Sequence, residues 1–351
     1  MNNDYLTTLK YGHIIAKIHG KSQVLLKESD YLALQQCDAL DEVILKLQSF
    51  PYSKYLSEDM KFTKKEFTKR LTKSMIDEFT QLYLQNSKED EELCDLLGYF
   101  INHYKIQNFI YLLASKQEDP DLGRSFENIE EIGRFNELNT LKFANDMVDV
   151  YKFCVESTFL KDYYHKIHIE RDIHKNDFQI LHSYLLKHHI DTFYEKCKRS
   201  STLGYMKTIL EFEGDRRIIE IVLNTLNNSE IVNKKRAEMF PNTSSMDLGI
   251  RKKLSSCTSV DELRGVLSTH PFYRKMVTVE DEEILNALVE LEMRIYVTSF
   301  TVYNDLSCIY SYFKMKEQEV KNILWIIECI LQERKEAMRS IIIPEKVSIT
   351  N

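Results

Sequence analysis

The chain has 351 residues, a net charge of −7 and only 9 Gly and 5 Pro, against about 12% of residues for those two types in average usage. So few breakers, and no run of alternating β-branched residues bounded by turns, predict an all-α protein built from long helices. The mixed charge argues against a DNA or RNA partner, and no apolar run approaches the roughly 18 residues of a membrane span. Seven cysteines, odd in number and without a C-x-x-C pair, point to thiols in a reducing compartment rather than to a disulfide framework or a zinc site.

The opening MNNDYLTTLK has no apolar core of the signal-peptide type, so a cytosolic chain is expected. Helices are expected over 5–19, 29–48, 63–85 and 91–114, with Ser29 and Thr63 as N-caps and Glu66 completing a capping box with Thr63. EDPDLG at 118–123 reads as a linker, NNSE at 227–230 opens a second, and MFPNTSSMDLG at 239–249 gathers loop residues. After Ser340 the sequence leaves helical patterning and is expected to be extended.

Two landmarks recur. An acidic-apolar start followed by an aromatic cluster begins at Asp41, Asp149 and Asp261, at spacings of 108 and 112. An aromatic residue, a polar corner and an apolar helix recur around Asn108, Arg217 and Asn322, at spacings of 109 and 105. A shared period of roughly 110 predicts three quasi-repeated helical bundles, 1–116, 117–228 and 229–351, packed around a common axis.

The last of these corners, Lys316-Glu317-Gln318-Glu319, precedes an apolar stripe of Val320, Ile323, Leu324, Ile327 and Leu331. A continuous helix through it would place Lys316 or Glu317 on the apolar face, so a bend near Met315 and a fresh helix start are expected, with the acids in the first turn offsetting the dipole. The second corner carries Glu213, Asp215, Arg216 and Arg217. Both corners are candidate interfaces whose charged ends face outward; the alternative is ordinary capping and internal salt bridges between repeats. A catalytic carboxylate pair is disfavoured because nothing nucleophilic accompanies it. Six of ten histidines, His165, His168, His174, His182, His188 and His189, cluster, but no H-E-x-x-H or Glu-x-x-His spacing makes them metal ligands. No phosphate-binding Gly loop occurs. Trp325 is read as core with its indole N–H bonded locally.

Several stretches resemble subunit d of the membrane sector of vacuolar-type proton ATPases, a family with relatives among the archaeal-type ATPases. They are YGHIIAKIHGKSQVLLKESDYLALQQC (11–37), ILEFEGDRR (209–217), Phe240-Pro241 with Gly249, and the KEQE corner with Asn322 and Glu328-Cys329. There are departures. The family's Cys-His-Pro-Leu-Gly-x-Phe stretch is reduced to IGRF (132–135), an expected Asp is Gln107, and an expected Ala is Gly214. The resemblance implies a cup-like rotor part with no cofactor and no reaction of its own. It would sit peripherally on the cytoplasmic face of a vacuolar or endosomal-type membrane. Its implied partners are the proteolipid (c) ring, the central-stalk subunits D and F, and the N-terminal cytosolic part of subunit a. Cys37 and Cys329 lie in stretches resembling family motifs, and a closed threefold arrangement would bring those thiols close; the alternative is two independent buried cysteines. A helical-repeat adaptor at a membrane surface and a metal-dependent helical hydrolase are the rival readings.

Overall fold

The computed structural model describes residues 2–56, 63–86, 90–118, 122, 125–144, 146–161, 178–228, 231 and 234–344. Among them there are helices, turns and no strand. In chain order the α-helices are α1 Asn2–Ser22, α2 Glu28–Gln35, α3 Leu40–Leu47, α4 Lys64–Asn86, α5 Glu91–Glu118, α6 Met147–Ser157 and α7 Phe178–Arg199. They continue with α8 Met206–Thr225, α9 Lys234–Met239, α10 Leu248–Ser256, α11 Val260–Leu267, α12 Ile284–Val302 and α13 Ser307–Leu331.

Three local expectations are corrected. The single helix expected over 29–48 is two, because the chain breaks between α2 and α3, where the Asp38 N–H turns to the Glu42 side chain. Ser29 lies inside α2, whose N-cap is Lys27; Asp30 instead accepts the Lys27 N–H at 2.8 Å. Thr63 does cap α4, its hydroxyl accepting the Glu66 N–H at 3.3 Å. The third correction is the absence of a bend at Met315, since α13 runs unbroken from Ser307 to Leu331.

The contacts group differently from three consecutive stretches. They form two compact units, each assembled from separated segments. Unit 1 comprises Met1–Leu96, Cys197–Ile209 and Glu282–Asn351. Its core sets Tyr31, Leu34, Val43, Leu47 and Phe67 of α2, α3 and α4 against Ile323, Ile326 and Ile327 of α13. Each such side chain contributes about 1.5–3 kcal/mol on burial, so both ends of the sequence are bound into one core. Cys37 and Cys329 both belong to this cluster and both are free thiols. The buried stripe of α13 is Val320, Ile323, Ile326, Ile327 and Ile330, while Leu331 is 52% exposed. Trp325 is also corrected: it is 43% exposed, and its indole N–H donates to the Ala337 carbonyl at 3.0 Å.

Unit 2 comprises Leu97–Lys196 and Leu210–Asp281. One cluster within it packs Phe109, Leu112 and Leu113 of α5 on Val150 and Cys154 of α6 and on Leu181 and Leu185 of α7.

Part of the recurring pattern occupies like local structures, but Arg217, the middle member of the second landmark, pairs with Glu220 on its own helix. Asp41, Asp149 and Asp261 each lie in the first turn of a short helix, α3, α6 and α11. Tyr52 and Tyr273, in the aromatic clusters after α3 and α11, are each 1% exposed or less. Asn108 and Asn322 make the same clamp from within long helices. Asn108 accepts the Glu130 N–H and donates to its carbonyl, at 2.7 and 2.8 Å. Asn322 does the same to Ile342, at 3.4 and 2.7 Å. Asn322→Ala would leave the Ile342 carbonyl buried and unsatisfied. We expect it to cost about 2 kcal/mol, measured by urea unfolding, with faster amide exchange at Ile342.

Candidate functional site

In the second corner, the four charged residues lie in the middle of α8, not at its start. Glu213 is 4% exposed and accepts the Tyr99 hydroxyl at 2.8 Å. Tyr99 is stacked between His189 and Phe193, with ring centroids 4.2 and 4.4 Å away. Asp215 is fully buried and gathers donors from a loop and from a distant ring. It accepts the Ser245 N–H at 3.0 Å, the Tyr273 hydroxyl at 2.9 Å and the hydroxyls of Ser244 and Ser245. Burial, reinforced by Asp215, pushes the Tyr273 phenol far above its ordinary range, so it remains a donor. Arg216 and Arg217 grip one carboxylate, Glu220, at 3.0 and 2.7 Å. Burial works against that charge, but the two guanidiniums hold the Glu220 carboxyl below its usual range.

Gly214, between Glu213 and Asp215, packs against the same loop. A Cβ built on it would stand 1.8 Å from the Thr243 carbonyl oxygen. Asp191 holds the other side of this loop, accepting the Thr243 N–H at 2.8 Å and the Asn242 N–H at 3.1 Å. In the first corner Gly133, retained in the reduced IGRF stretch, plays a similar part. A Cβ there would meet the Tyr104 carbonyl carbon at 2.5 Å and the Asn108 amide nitrogen at 2.7 Å.

The third corner lies inside α13. Lys316 is 2% exposed, sits over the Tyr52 ring and pairs with Glu78 at 3.6 Å. The Tyr312 hydroxyl donates to the other Glu78 oxygen at 2.7 Å. Glu319 is 3% exposed and accepts the Leu26 N–H at 2.5 Å and the Tyr52 hydroxyl. Burial pushes its carboxyl up. Glu317 lies between Lys314 and Lys321, at 2.6 and 2.7 Å. Those cations overcome burial and hold Glu317 well below its ordinary range. Gln318 donates to Asn322 at 2.8 Å.

The expectation that these charged ends face outward is therefore corrected. Glu213, Asp215, Lys316 and Glu319 are buried, and Arg216, Arg217, Glu317 and Gln318 are partly buried with partners inside their own unit. Buried polar groups are tolerated because each finds a partner, and such networks fix one arrangement of the elements they join.

Of the clustered histidines, His165, His168 and His174 lie outside the described residues. His188 contacts the Thr192 hydroxyl at 3.2 Å and His189 the Tyr99 carbonyl at 3.1 Å. Among the described residues no group of His, Cys, Asp or Glu is placed to hold a metal. Burial pushes His189 down to about 3. A histidine depressed in this way stabilises the fold fully above about 6.5, and the contribution is lost as pH falls toward the folded-state value. His189→Phe keeps a ring on Tyr99 and removes this titration. At about pH 5 the wild type is expected to lose about 2 kcal/mol more than the variant, relative to neutral pH, read as amide exchange along α7.

Sequence reasoning missed Arg236, 1% exposed, which bonds the Thr225 carbonyl and hydroxyl and the Ser255 and Cys257 carbonyls. Nothing in the run Lys234-Lys235-Arg236 marks the third cation as the buried one.

Among the described residues no helix is long and apolar enough to cross a membrane. The profile of the ATP synthase (C/AC39) subunit family matches residues 14–341. The chain is 25% identical over 339 residues to V-type proton ATPase subunit d1 of Arabidopsis thaliana, covering 95% of each. It is 27% identical to V-type proton ATPase subunit d of Dictyostelium discoideum over 337 residues, 94% of each. Against the subunit d of Saccharomyces cerevisiae it is also 27% identical, over 94% of this chain and 96% of the relative.

Proposed function

The chain belongs to the ATP synthase (C/AC39) subunit family, and we propose that it serves a vacuolar-type proton ATPase as a non-catalytic rotor part. In this reading it links the central-stalk subunits D and F to the proteolipid (c) ring, beside the N-terminal cytosolic part of subunit a. It is held peripherally on the cytoplasmic face of the membrane by protein contacts. ATP-driven rotation then reaches the ring through it, and it performs no reaction itself.

The supporting observation is the set of buried polar locks. A part that transmits torque must not yield, and here long helices are tied to distant segments by buried side chains. Asn108, Asp215, Glu319 and Asn322 each take backbone N–H groups from elsewhere in the chain. These locks also favour a threefold repeat. Tyr52, in the first expected repeat, reaches Glu319 in the third, and Tyr273, in the third, reaches Asp215 in the second. The eight corner residues then support an interface indirectly, by stiffening the helices that carry it.

The test is recovery of the tagged chain from native membranes under mild detergent, with co-purified proteins identified by mass. Proteolipid and central-stalk subunits in constant ratio are expected, and depletion of the chain should abolish ATP-dependent acidification. Recovery with vesicle-coat proteins and without proteolipid would instead support the adaptor reading.

A further inference from the structure

Three hydroxyl residues in a row, Ser200, Ser201 and Thr202, follow the last residue of α7. The outer two are engaged. Ser200 donates to one Glu92 oxygen at 2.5 Å and Thr202 to the other at 2.8 Å. Burial works against the Glu92 charge, but the hydroxyls of Ser200, Thr202 and Tyr11 hold its carboxyl below the usual range. The same loop is tied to the start of α13. The Thr202 carbonyl accepts the Leu306 N–H at 3.0 Å, and Asp305 accepts the Tyr205 N–H at 2.8 Å. All of these residues belong to unit 1.

Ser201 differs from its neighbours. It is exposed, and among the described residues its hydroxyl makes no hydrogen bond. Two exposed cations, Lys198 and Arg199, stand three and two residues before it. Ser256 and Ser340 are also exposed just after cations, but their hydroxyls donate to the Lys253 and Ala337 carbonyls at 2.8 and 2.9 Å. Neither has cations at both of those positions.

One class of serine kinase selects its substrates by cations just N-terminal to the accepting hydroxyl, which meet carboxylates on the kinase. We propose that Ser201 is a phosphorylation site for a kinase of this class, and that the phosphate releases the loop from Glu92. In the transfer the Ser201 Oγ attacks the γ-phosphorus of ATP. The Oγ–P bond forms, the bond from that phosphorus to the β–γ bridging oxygen breaks, and ADP leaves. The hydroxyl proton passes to the catalytic aspartate of the kinase. The product carries about two negative charges at neutral pH. They stand between the two residues that clasp Glu92, so like charges are forced together. They also stand at the C-terminal end of α7, where the helix dipole disfavours negative charge. Asp305, which holds the same loop, adds to the repulsion.

The test incubates the purified full chain with magnesium ATP and the catalytic subunit of cyclic-AMP-dependent protein kinase as the probe. Peptide mass mapping is expected to place one phosphate on Ser201 and none on Ser200 or Thr202. Ser201→Ala should abolish that incorporation. Arg199→Gln should lower kcat/KM for it about tenfold, and both variants should keep the circular dichroism of the wild type. In the fully phosphorylated chain the amides of Thr202, Tyr205 and Leu306 should exchange about tenfold faster, with Ile342 unchanged. No phosphate on wild-type Ser201, incorporation untouched by Ser201→Ala, or unchanged exchange at the three amides would each overturn the proposal.

Discussion

Replacing Arg236 with methionine is expected to destabilise unit 2 by about 4 kcal/mol and to lower its melting temperature by about 10 °C. The guanidinium is 1% exposed, and among the described residues no carboxylate pairs with it. Its stabilisation comes from helix ends. Thr225 is the last residue of α8, and Ser255 and Cys257 lie at the end of α10. Carbonyls there have no partner within their helix and carry the negative end of its dipole. Arg236 donates to the Thr225, Ser255 and Cys257 carbonyls at 2.8, 3.1 and 2.6 Å, and to the Thr225 hydroxyl at 2.8 Å. Methionine removes the desolvation cost of the cation, several kcal/mol. It also removes four charge-assisted hydrogen bonds, each worth about 1.5–3 kcal/mol, and leaves the Ser255 and Cys257 carbonyls bare, while the Thr225 carbonyl keeps the Asn228 N–H at 3.1 Å. The second effect is larger. Arg236→Lys keeps the charge but not the planar fork, and should lose about 2 kcal/mol. Urea unfolding of the two variants checks the ranking. If the methionine variant fell within about 1 kcal/mol of wild type, the helix ends would have found other donors and the joint would not depend on Arg236.

Helical class was legible in the scarcity of Gly and Pro, and the landmark acids Asp41, Asp149 and Asp261 fell in the first turns of short helices. The polar corners were misread for an identifiable reason. The geometry was right: a continuous α13 does place Lys316 on the buried face. The inferred penalty was wrong, because the partners lie far off in sequence. The Leu26 N–H that meets Glu319 is 293 residues away, and the Tyr52 hydroxyl is 267 away. A local window cannot distinguish a buried carboxylate with such donors from a solvated one. For the same reason reversal of Glu317 and Glu319 to lysine cannot serve as a clean test of an interface. It would bury a new ammonium where Glu319 now accepts two bonds, and would unfold unit 1 locally whether or not an interface is present. The departure at Gly214 was legible as a departure only; its meaning depends on a loop whose contacting residue, Thr243, lies about one helix length further along the sequence.

That position gives the sharpest test of sign. In an exposed helix Gly→Ala is worth a gain of about 1 kcal/mol, and the family pattern that this stretch resembles has alanine there. Here the added methyl would stand 1.8 Å from the Thr243 carbonyl oxygen and 2.9 Å from its carbonyl carbon. Both are backbone atoms, so no side-chain rotation relieves the contact. The loop cannot retreat freely, because Asp191 holds the Thr243 N–H at 2.8 Å and Asp215 holds the Ser245 N–H at 3.0 Å. Nor can α8 yield easily, since Glu213 is bonded to Tyr99 at 2.8 Å and Asp215 to Tyr273 at 2.9 Å. Moving the loop by about 1 Å would sacrifice one or more of the Asp215 bonds, at about 1–3 kcal/mol each, against the propensity gain. Gly214→Ala should therefore lose about 3 kcal/mol net, with faster amide exchange at Ser245 and Met246 and unchanged exchange in α13. A stabilised variant with undisturbed exchange at those amides would show that the loop moves aside at no cost, and the lock around Asp215 would then be too soft to stiffen anything.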